Sequence, residues 1–361
     1  MQDINLKLSV LDVENKYRID YKETVYGTDN IVSYGEDNAA PILFKNCYKN
    51  SSTLSSIING AVNYILGDKV IVNDGAACMA EQVNRTGMTM RQFVANLALS
   101  YMIYGGFAFQ IIYSKIGLPV EFYPLDFGRL RTNEDGNKIF YNKKGWSKYS
   151  TKSEVFDKFN PKTFNTEKPT QIFYYKGDYT SNVYPLPPYY AAIKDVLTEI
   201  ECTNYSLNSV SNGFSAKHII NIPEAGNLTD EQKGEIEKAI KNKFCGSDAE
   251  ANFMLFWTNG EESIDVKKIE SDDSPERYIT IKKDARNAIY AAMRCTPNLM
   301  GLPTETTGFN SQEYSSAFKL YQRTVIDGIQ NILIESISKV FRTNNAITIV
   351  PFSISFEEEN N

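Results

Sequence analysis

The order of elements predicted between residues 183 and 341 places the strongest constraint on how this chain can fold. A proline-rich turn, Tyr184–Pro188, precedes a stretch whose apolar spacing predicts a long helix that ends near Gly213. A second helix is predicted to begin at Ser274–Pro275, because proline is favoured at the first helical position. A last amphipathic helix is predicted from about Gln312 to Phe341. Two helices on either side of an insertion suit the wall of a tube better than a substrate pocket.

The insertion and the loop that follows the second helix have their own signals. Residues 217–269 predict a β-α-β-β unit, in which Thr229 and Gln232 have the spacing of a helix capping box. The two later strands are expected at Phe253–Trp257 and Ile264–Ile269. The segment Pro297–Asn310 contains two prolines and two glycines, which argue against a regular helix. Its length of about 14 residues exceeds the usual helix–helix connection, and this indicates a functional loop.

The first 182 residues predict a mixture of helices and strands. Ser52 and Thr89 are placed to cap two helices, which Gly67 and Gly105–Gly106 would end. Strands are expected at 107–113, 120–125, 129–132, 138–141, 172–175 and, after the last helix, 346–356. Residues 142–170 predict a surface excursion, residues 1–50 show no strong period, and Gly328 is expected to bend the last helix.

Composition disfavours several classes of function. The chain has 361 residues, too many for one ordinary core, which predicts two or more domains. Its net charge of −6 disfavours tight static binding of DNA, because proteins that grip phosphates carry excess Lys and Arg. No apolar run reaches the length of a membrane span, and the N-terminus shows no signal peptide. His218 is the only histidine, which argues against a histidine-based catalytic or metal site.

Motifs for catalysis are missing from the sequence. There is no G-x-x-x-x-G-K-[ST] phosphate loop, no G-x-G-x-x-G after a strand and no G-x-S-x-G elbow. Ser215 lies near His218, but a structural role for this histidine at a strand start is the simpler interpretation. The five cysteines form no CxxC pair, which predicts a reducing compartment without a zinc finger: Cys47, Cys78, Cys202, Cys245 and Cys295.

The densest charge clusters flank the start of the second helix. The one cluster of carboxylates that a metal-dependent nuclease could use consists of Glu270, Asp272–Asp273 and Glu276. Acidic residues before a helix also complement its dipole, which is the simpler interpretation. Lys282, Lys283 and Arg286 follow on the same helix and either form a solvated face or contact an anionic partner.

Eight short segments carry a family resemblance through their order and spacing. They are Tyr104–Phe109, Gly117–Val120, Phe122–Asp126, Tyr184–Pro188, Asn212–Phe214, Ile219–Ile222, Cys295–Gly301 and Tyr314–Phe318. Together they resemble the portal proteins of tailed bacteriophages, which form the ring at one vertex of the capsid. The likeness covers about residues 50–341 and departs from the family where a glycine before Ser-Pro-Leu is missing. The chain after Phe341 is short, so a reduced or absent crown is expected.

The resemblance implies an α+β fold with an α/β wing, long stem helices, a small β-α-β-β clip and a tunnel loop before a long C-terminal helix. Residues 1–50 remain unassigned. The implied parts are the wing at 51–182, stem helix 1 at 183–213, the clip at 214–272, stem helix 2 at 273–296, the tunnel loop at 297–311, and the wing helix with the reduced crown at 312–361.

The resemblance also implies where partners would be contacted. The tunnel loop would face DNA with Thr304, Glu305, Thr306, Thr307 and Asn310, and Lys282, Lys283 and Arg286 would line the channel. The clip would dock the motor and the neck, and its expected contact residues are Glu231, Lys238, Lys241, Trp257 and Asn259. No catalytic residue, metal or cofactor is expected.

The function implied is that of a portal ring, most often a dodecamer, in the virion. It would be assembled in the host bacterial cytoplasm, without a membrane partner. Its expected partners are further copies of itself, the terminase large subunit, major capsid and scaffolding proteins, neck proteins and double-stranded DNA during packaging and ejection. Two alternatives stay open: a metal-dependent enzyme acting on nucleic acid through the 270–276 carboxylates, and a soluble α+β binding module. A cleavage assay and the native mass separate these alternatives from a portal ring.

Overall fold

The computed structural model describes residues 21–148, 152–163, 167–177, 182–211, 218–222, 229, 231–236, 238, 253–257, 265–268, 275–302 and 311–352. Helices and strands are mixed along the chain, which confirms the predicted α+β class. The chain divides into two compact units. The first combines Met1–Lys194 with Ala288–Asn361, and the second is Asp195–Asn287.

Apart from α1, which was not predicted, and the division of the last predicted helix into α7 and α8, the helices of the described residues follow the predicted order. They are α1 (Ala40–Asn50), α2 (Ser52–Leu66), α3 (Met90–Tyr104), α4 (Ile193–Ser211), α5 (231–236), α6 (Pro275–Ala292), α7 (Ser311–Tyr321) and α8 (Asp327–Phe341). The strands of the first unit are β1 (Val25–Tyr26), β2 (Ile31–Val32), β3 (Lys69–Val72), β4 (Gly106–Tyr113), β5 (Pro119–Leu125), β6 (Leu130–Thr132), β7 (Lys138–Tyr141), β8 (Glu154–Lys158), β9 (Thr170–Lys176) and β13 (Ile347–Val350). The second unit contains β10 (His218–Ile222), β11 (Phe253–Trp257) and β12 (Asp265–Lys268).

Side-chain caps fix the ends of α2 and α3. The hydroxyl of Thr89 accepts from the N–H of Gln92, which confirms the predicted cap, and the Gln92 side chain accepts from the Thr89 N–H, which completes a capping box. Ser51, not Ser52, caps α2, because its hydroxyl accepts from the N–H of Leu54. Ser52 is already the first helical residue, so the predicted cap was wrong by one position.

A six-stranded sheet forms the centre of the first unit, in the order β5-β4-β9-β8-β7-β6. Neighbouring strands are antiparallel except β8 and β9, which are parallel. The predicted surface excursion at 142–170 is therefore wrong over Glu154–Lys158, which lies inside the sheet as β8. Its side chains are mostly exposed or half-buried, so the strand lacks the apolar alternation that reveals a half-buried strand in a sequence.

Helix α3 packs on this sheet and joins it to the C-terminal helix. The ring of Phe93 lies 5.2 Å from that of Phe109 and 5.5 Å from that of Phe122, measured between centroids. The ring of Phe341, at the end of α8, lies 5.4 Å from the ring of Phe122. Burial of these large rings removes apolar area from water, which is the main stabilising contribution to the core.

The N-terminal segment contributes more than the sequence indicated. Residues 21–50 form the hairpin β1–β2 and helix α1, although no period was detected in residues 1–50. Tyr34 and Phe44 are fully buried, and Tyr34 donates to the carbonyl of Pro185 at 2.6 Å. The hydroxyl of Tyr184 donates to Val32 O at 2.7 Å, so this segment is part of the same core as the proline turn.

The last long helix is interrupted at a different place from the one predicted. A π-helical segment, Gln322–Ile326, connects α7 to α8, and Gly328 lies inside regular α8. A π-helical turn accommodates one inserted residue, and such turns are a common cause of irregularity within a helix. After α8, β13 pairs antiparallel with β3 in a two-stranded sheet, which confirms part of the strand predicted at 346–356.

The second unit has the predicted order strand, helix, strand, strand between α4 and α6. Strand β10 lies in the middle of a three-stranded sheet, parallel to β11 and antiparallel to β12. His218 is the first residue of β10, as expected for a histidine at a strand start. The capping box before α5 is present, because the Thr229 N–H donates to Oε1 of Gln232 at 2.9 Å. Helix α6 begins at Pro275, as the sequence predicted.

Candidate functional site

Both ends of the predicted tunnel loop are fixed to the same side chain on α2. The hydroxyl of Tyr64 donates to the carbonyl of Leu299, the third residue of the loop, at 2.9 Å. It also lies 3.1 Å from the hydroxyl of Tyr314, in the first turn and a half of α7 just after the loop. The Tyr64 ring contacts α7 as well, with 5.6 Å between its centroid and that of Phe318. Tyr64 therefore holds the two ends of the loop against one helix.

The first residues of the predicted loop are a short anchored turn, which corrects the expectation of an unstructured segment from 297. Pro297–Met300 form a 3₁₀ turn that ends at Gly301, whose φ is +77°. Asn298 and Leu299 are buried. A methyl group on Gly60 of α2 would lie only 2.4 Å from the sulphur of Met300, so the bare glycine leaves room for the Met300 side chain against the helix.

Residues 303–310 lie outside the described part of the structure, and with them all five residues predicted to face DNA: Thr304, Glu305, Thr306, Thr307 and Asn310. Of this loop, the structure describes the two anchored ends. Cys295 immediately precedes the anchored turn, and burial raises the pKa of its thiol to about 12. A thiol in that state is protonated at neutral pH and chemically inert.

The three basic residues of α6 do not share one environment. Lys283 is exposed, whereas Lys282 and Arg286 are half-buried and lie one helical turn apart. Their face of the helix continues into the buried side chain of Ile289. The Nε of Arg286 is buried and has no hydrogen-bond partner among the described residues. A solvated basic face is thus an incomplete description of these residues, since two of them turn toward the buried side of α6.

Large apolar side chains are exposed along both long helices of the second unit. Leu207 of α4 is 63% exposed and Ile279 of α6 is 68% exposed, and Tyr205 and Ile281 are also exposed. The rings of Tyr205 and Tyr278 stack with 4.3 Å between centroids, which joins α4 to α6. From Thr203 to Asn208 every residue of α4 is exposed. Large exposed apolar side chains on two helices in contact are candidates for a surface that binds another chain.

The predicted docking residues of the insertion are only partly described. Glu231 and Lys238 are exposed on the helical stretch after Thr229. Trp257 is the last residue of β11, and the structure describes its backbone. Lys241 and Asn259 lie outside the described residues. The acidic residues 270–273 do so as well, and the side chain of Glu276 is not described.

In the described part of the chain, no group of three or more His, Cys, Asp or Glu residues is arranged to hold a metal ion. Cys47, Cys78, Cys202 and Cys295 are free thiols. Among the helices that the structure describes, none is long and apolar enough to cross a membrane.

Sequence reasoning missed the residues that hold the loop. Tyr64, Gly60 and Tyr314 come together from helices more than two hundred residues apart, and no local pattern reveals such a contact. One signal was present: Gly60 stands in the middle of a strongly apolar helix, where glycine is unfavourable. Such a glycine indicates a close approach of another segment.

Comparison with known families and structures gives a consistent result. The family described as Phage portal protein matches residues 67–351, well over half of the chain. No curated protein matches the chain.

Similar folds occur among solved structures. One is a chain from the neck of an empty gene transfer agent particle computed with C6 symmetry, 15% identical, with a TM-score of 0.58 over 91% of this chain and 85% of that one. Another comes from the neck of the native particle computed with C12 symmetry, 16% identical, with a TM-score of 0.55 over 86% and 83%. A third is a portal protein of an HK97 family phage from Corynebacterium diphtheriae, 10% identical, with a TM-score of 0.54 over 85% and 94%. At these identities the likeness concerns the fold.

Proposed function

The chain belongs to the phage portal protein family, and from this premise we propose that identical copies form a ring at one capsid vertex. Double-stranded DNA would be packaged through this ring by a terminase motor and later ejected. The ring would be most often a dodecamer, located in the virion and assembled in the host bacterial cytoplasm. Major capsid, scaffolding and neck proteins would contact it from outside.

The exposed apolar surface of α4 and α6 carries the proposal of a ring. Leu207 and Ile279 are about two-thirds exposed in the single chain. Burying them against neighbouring copies would contribute about 25 cal/mol for each Å² of apolar surface removed from water. When one surface of a chain binds a different surface of the next copy, the repeated contact forms a closed ring if the rotations between copies add up to a full turn. Chains of similar fold come from particle necks computed with C6 and C12 symmetry, which supports this geometry.

The loop between Gly301 and α7 is proposed to face the DNA. Thr304, Glu305, Thr306, Thr307 and Asn310 are small or polar and carry a single negative charge among them. Such side chains contact phosphates weakly, which suits DNA that must slide. Fixing both loop ends to Tyr64 supports this role, since a short tether on a rigid helix limits where the loop can reach. Lys282, Lys283 and Arg286 are proposed to line the channel next to it.

The insertion between α4 and α6 is proposed as the clip that docks the motor and the neck. Glu231 and Lys238 are exposed charges on its helical stretch and would contact these partners, together with Lys241, Trp257 and Asn259. The sequence contains no nucleotide-binding loop, so the energy of packaging would come from the partner motor. Portal proteins are structural components, and we propose no enzymatic activity and no cofactor for this chain.

The ring is tested by native mass spectrometry or light scattering of a Leu207→Ser, Ile279→Ser variant. The variant should shift from large rings to smaller species, because each substitution removes an apolar contact between copies. An Ile116→Ser control changes a residue that is 80% exposed in the turn between β4 and β5, and it should leave assembly unchanged. If the double variant assembles like the wild type, the helix surface does not join the copies.

The loop is tested separately in a packaging assay with purified motor. Bulky substitutions at Thr304 and Thr306 should slow or stop packaging without changing the native mass. Unchanged packaging would mean that these residues do not face the DNA. A metal-dependent cleavage assay on the same preparation addresses the enzymatic alternative, for which the 270–276 carboxylates would be required.

A further inference from the structure

A cleft of about 340 Å³ opens in the first unit, beside the N-terminal end of α1. Its walls come from α1, from the turn before β6 and from the segment after β7. Six residues decide its chemistry: Ile42, Lys45, Asp126, Arg129, Lys144 and, at its buried side, Arg131. The family assignment and the proposed ring give this cleft no role.

Arg131 is a buried cation whose hydrogen-bond partners are neutral. Arg131 is only 1% exposed. Its Nε and Nη2 donate to the side-chain and backbone oxygens of Asn38, and its Nη1 donates to the carbonyls of Gly128 and Leu130. The guanidinium lies 5.2 Å from the centre of the Trp146 ring. A buried charge held only by neutral dipoles creates a positive potential in the cleft that it lines.

The remaining charges of the cleft add to this potential. Asp126 is the one acidic residue among those that line it, and it already pairs with Lys45 at 2.9 Å and with Arg129 at 3.6 Å. Lys144 is exposed at the rim. Four cations against one carboxylate give the lining a formal charge of about +3, in a chain whose total is −6. This contrast makes the cleft a local site for anions.

We propose that this cleft binds an acidic segment of another polypeptide, whose carboxylates face Lys45, Arg129 and Lys144. A polypeptide fits better than a nucleic acid for two reasons. The ring nitrogen of Trp146 already donates to the carbonyl of Arg129 at 2.8 Å, and the residue is 7% exposed, so the ring offers no platform on which bases could stack. Ile42, which is 53% exposed, and Pro41 add an apolar wall suited to a side chain of a peptide.

The chain itself supplies a probe of this composition. Residues 351–361 contain Phe356 followed by Glu357, Glu358 and Glu359. A synthetic peptide of this sequence, a second unrelated glutamate-rich peptide, and a version with the glutamates replaced by glutamine form the ligand series. Trp146 and Trp257 are the two tryptophans, so a Trp257→Phe background leaves Trp146 as the fluorescent reporter at the cleft.

Titration of the full-length Trp257→Phe protein should change the emission of Trp146 with both acidic peptides but not with the glutamine version. Lys45→Gln with Lys144→Gln should weaken binding by about three- to tenfold, because each exposed charge pair contributes modestly. The control pair, Lys49→Gln with Lys143→Gln, removes the same charge from α1 and from the same loop, outside the lining. Raising the salt concentration should weaken binding further.

Any one of three outcomes would overturn the proposal. The first is that the acidic peptides produce no change in emission, and the second is that the control pair weakens binding as much as the cleft pair. The third is that an oligonucleotide or inorganic phosphate binds while the peptides do not. Binding by the unrelated peptide alone supports the proposal and excludes the terminal run of a second copy as the source. The measurement needs no ring, so it is independent of the assembly test.

Discussion

Removal of one hydroxyl group, in a Tyr64→Phe variant, tests how the loop before α7 is held. The hydroxyl bonds to Leu299 O at 2.9 Å and to the hydroxyl of Tyr314 at 3.1 Å, while the ring packs against Phe318 and Tyr321. Phenylalanine keeps the ring contacts and removes both hydrogen bonds. Each neutral hydrogen bond contributes about 0.5–1.5 kcal/mol net, so the two loop ends together should lose about 1–3 kcal/mol of attachment.

Hydrogen exchange measured by mass spectrometry is the direct assay. A loss of about 1–3 kcal/mol raises a local opening equilibrium roughly 5- to 150-fold, so the segments 299–302 and 311–314 should exchange faster by a factor in that range. The amides of α3 should not change. A Tyr48→Phe control removes an exposed hydrogen bond of 2.8 Å to Asn59, which joins α1 to α2 away from the loop.

The reasoning is refuted if exchange of both loop-end segments stays at the wild-type rate. It is also refuted if the control accelerates them equally, since the effect would then come from loosening α2 as a whole. In a packaging assay the same variant should pass DNA less regularly if the anchored ends position the loop, with the native mass unchanged.

Three further predictions concern the core of the first unit. Tyr184→Phe leaves a buried N–H and a buried carbonyl unpaired and should lower the free energy of unfolding by about 2–4 kcal/mol in urea titrations. Gly105→Ala should destabilise strongly, because φ is +78° and the new methyl group would lie 2.1 Å from Leu186 O; a wild-type melting temperature would contradict this. Burial raises the pKa of Cys47 to about 12, so stability should fall as pH rises from about 9 to 12, and Cys47→Ala should reduce that fall.

Helices with side-chain caps and strong periodicity could be predicted from the sequence. The cap residue Thr89 predicted where α3 starts, and Gly105, which lies in the left-handed region, predicted where it ends. Helix α1 was missed because Ala39 precedes it without a side-chain cap and its apolar pattern is weak. Strand β8 was missed because its neighbours in the sheet, not its own side chains, stabilise it.

The functional residues show the same difference between features with a local signal in the sequence and features that depend on long-range contacts. The loop from Pro297 was visible from its prolines, glycines and length, which local chemistry determines. Its anchor at Tyr64 depends on a contact across 235 positions, and the cleft around Arg131 depends on Asn38, which is 93 positions away. A single sequence contains no local signal for pairings of this range, so only the folded structure could reveal them.

The central claim is that copies of this chain surround a bore with the loop after Gly301 toward the axis. Electron cryomicroscopy of the purified, assembled protein tests it most directly. The account predicts closed rings in which α4 and α6 contact neighbouring copies and residues 303–310 lie nearest the symmetry axis. A map that places this loop on the outer rim, or that contains only isolated chains under assembly conditions, would contradict it.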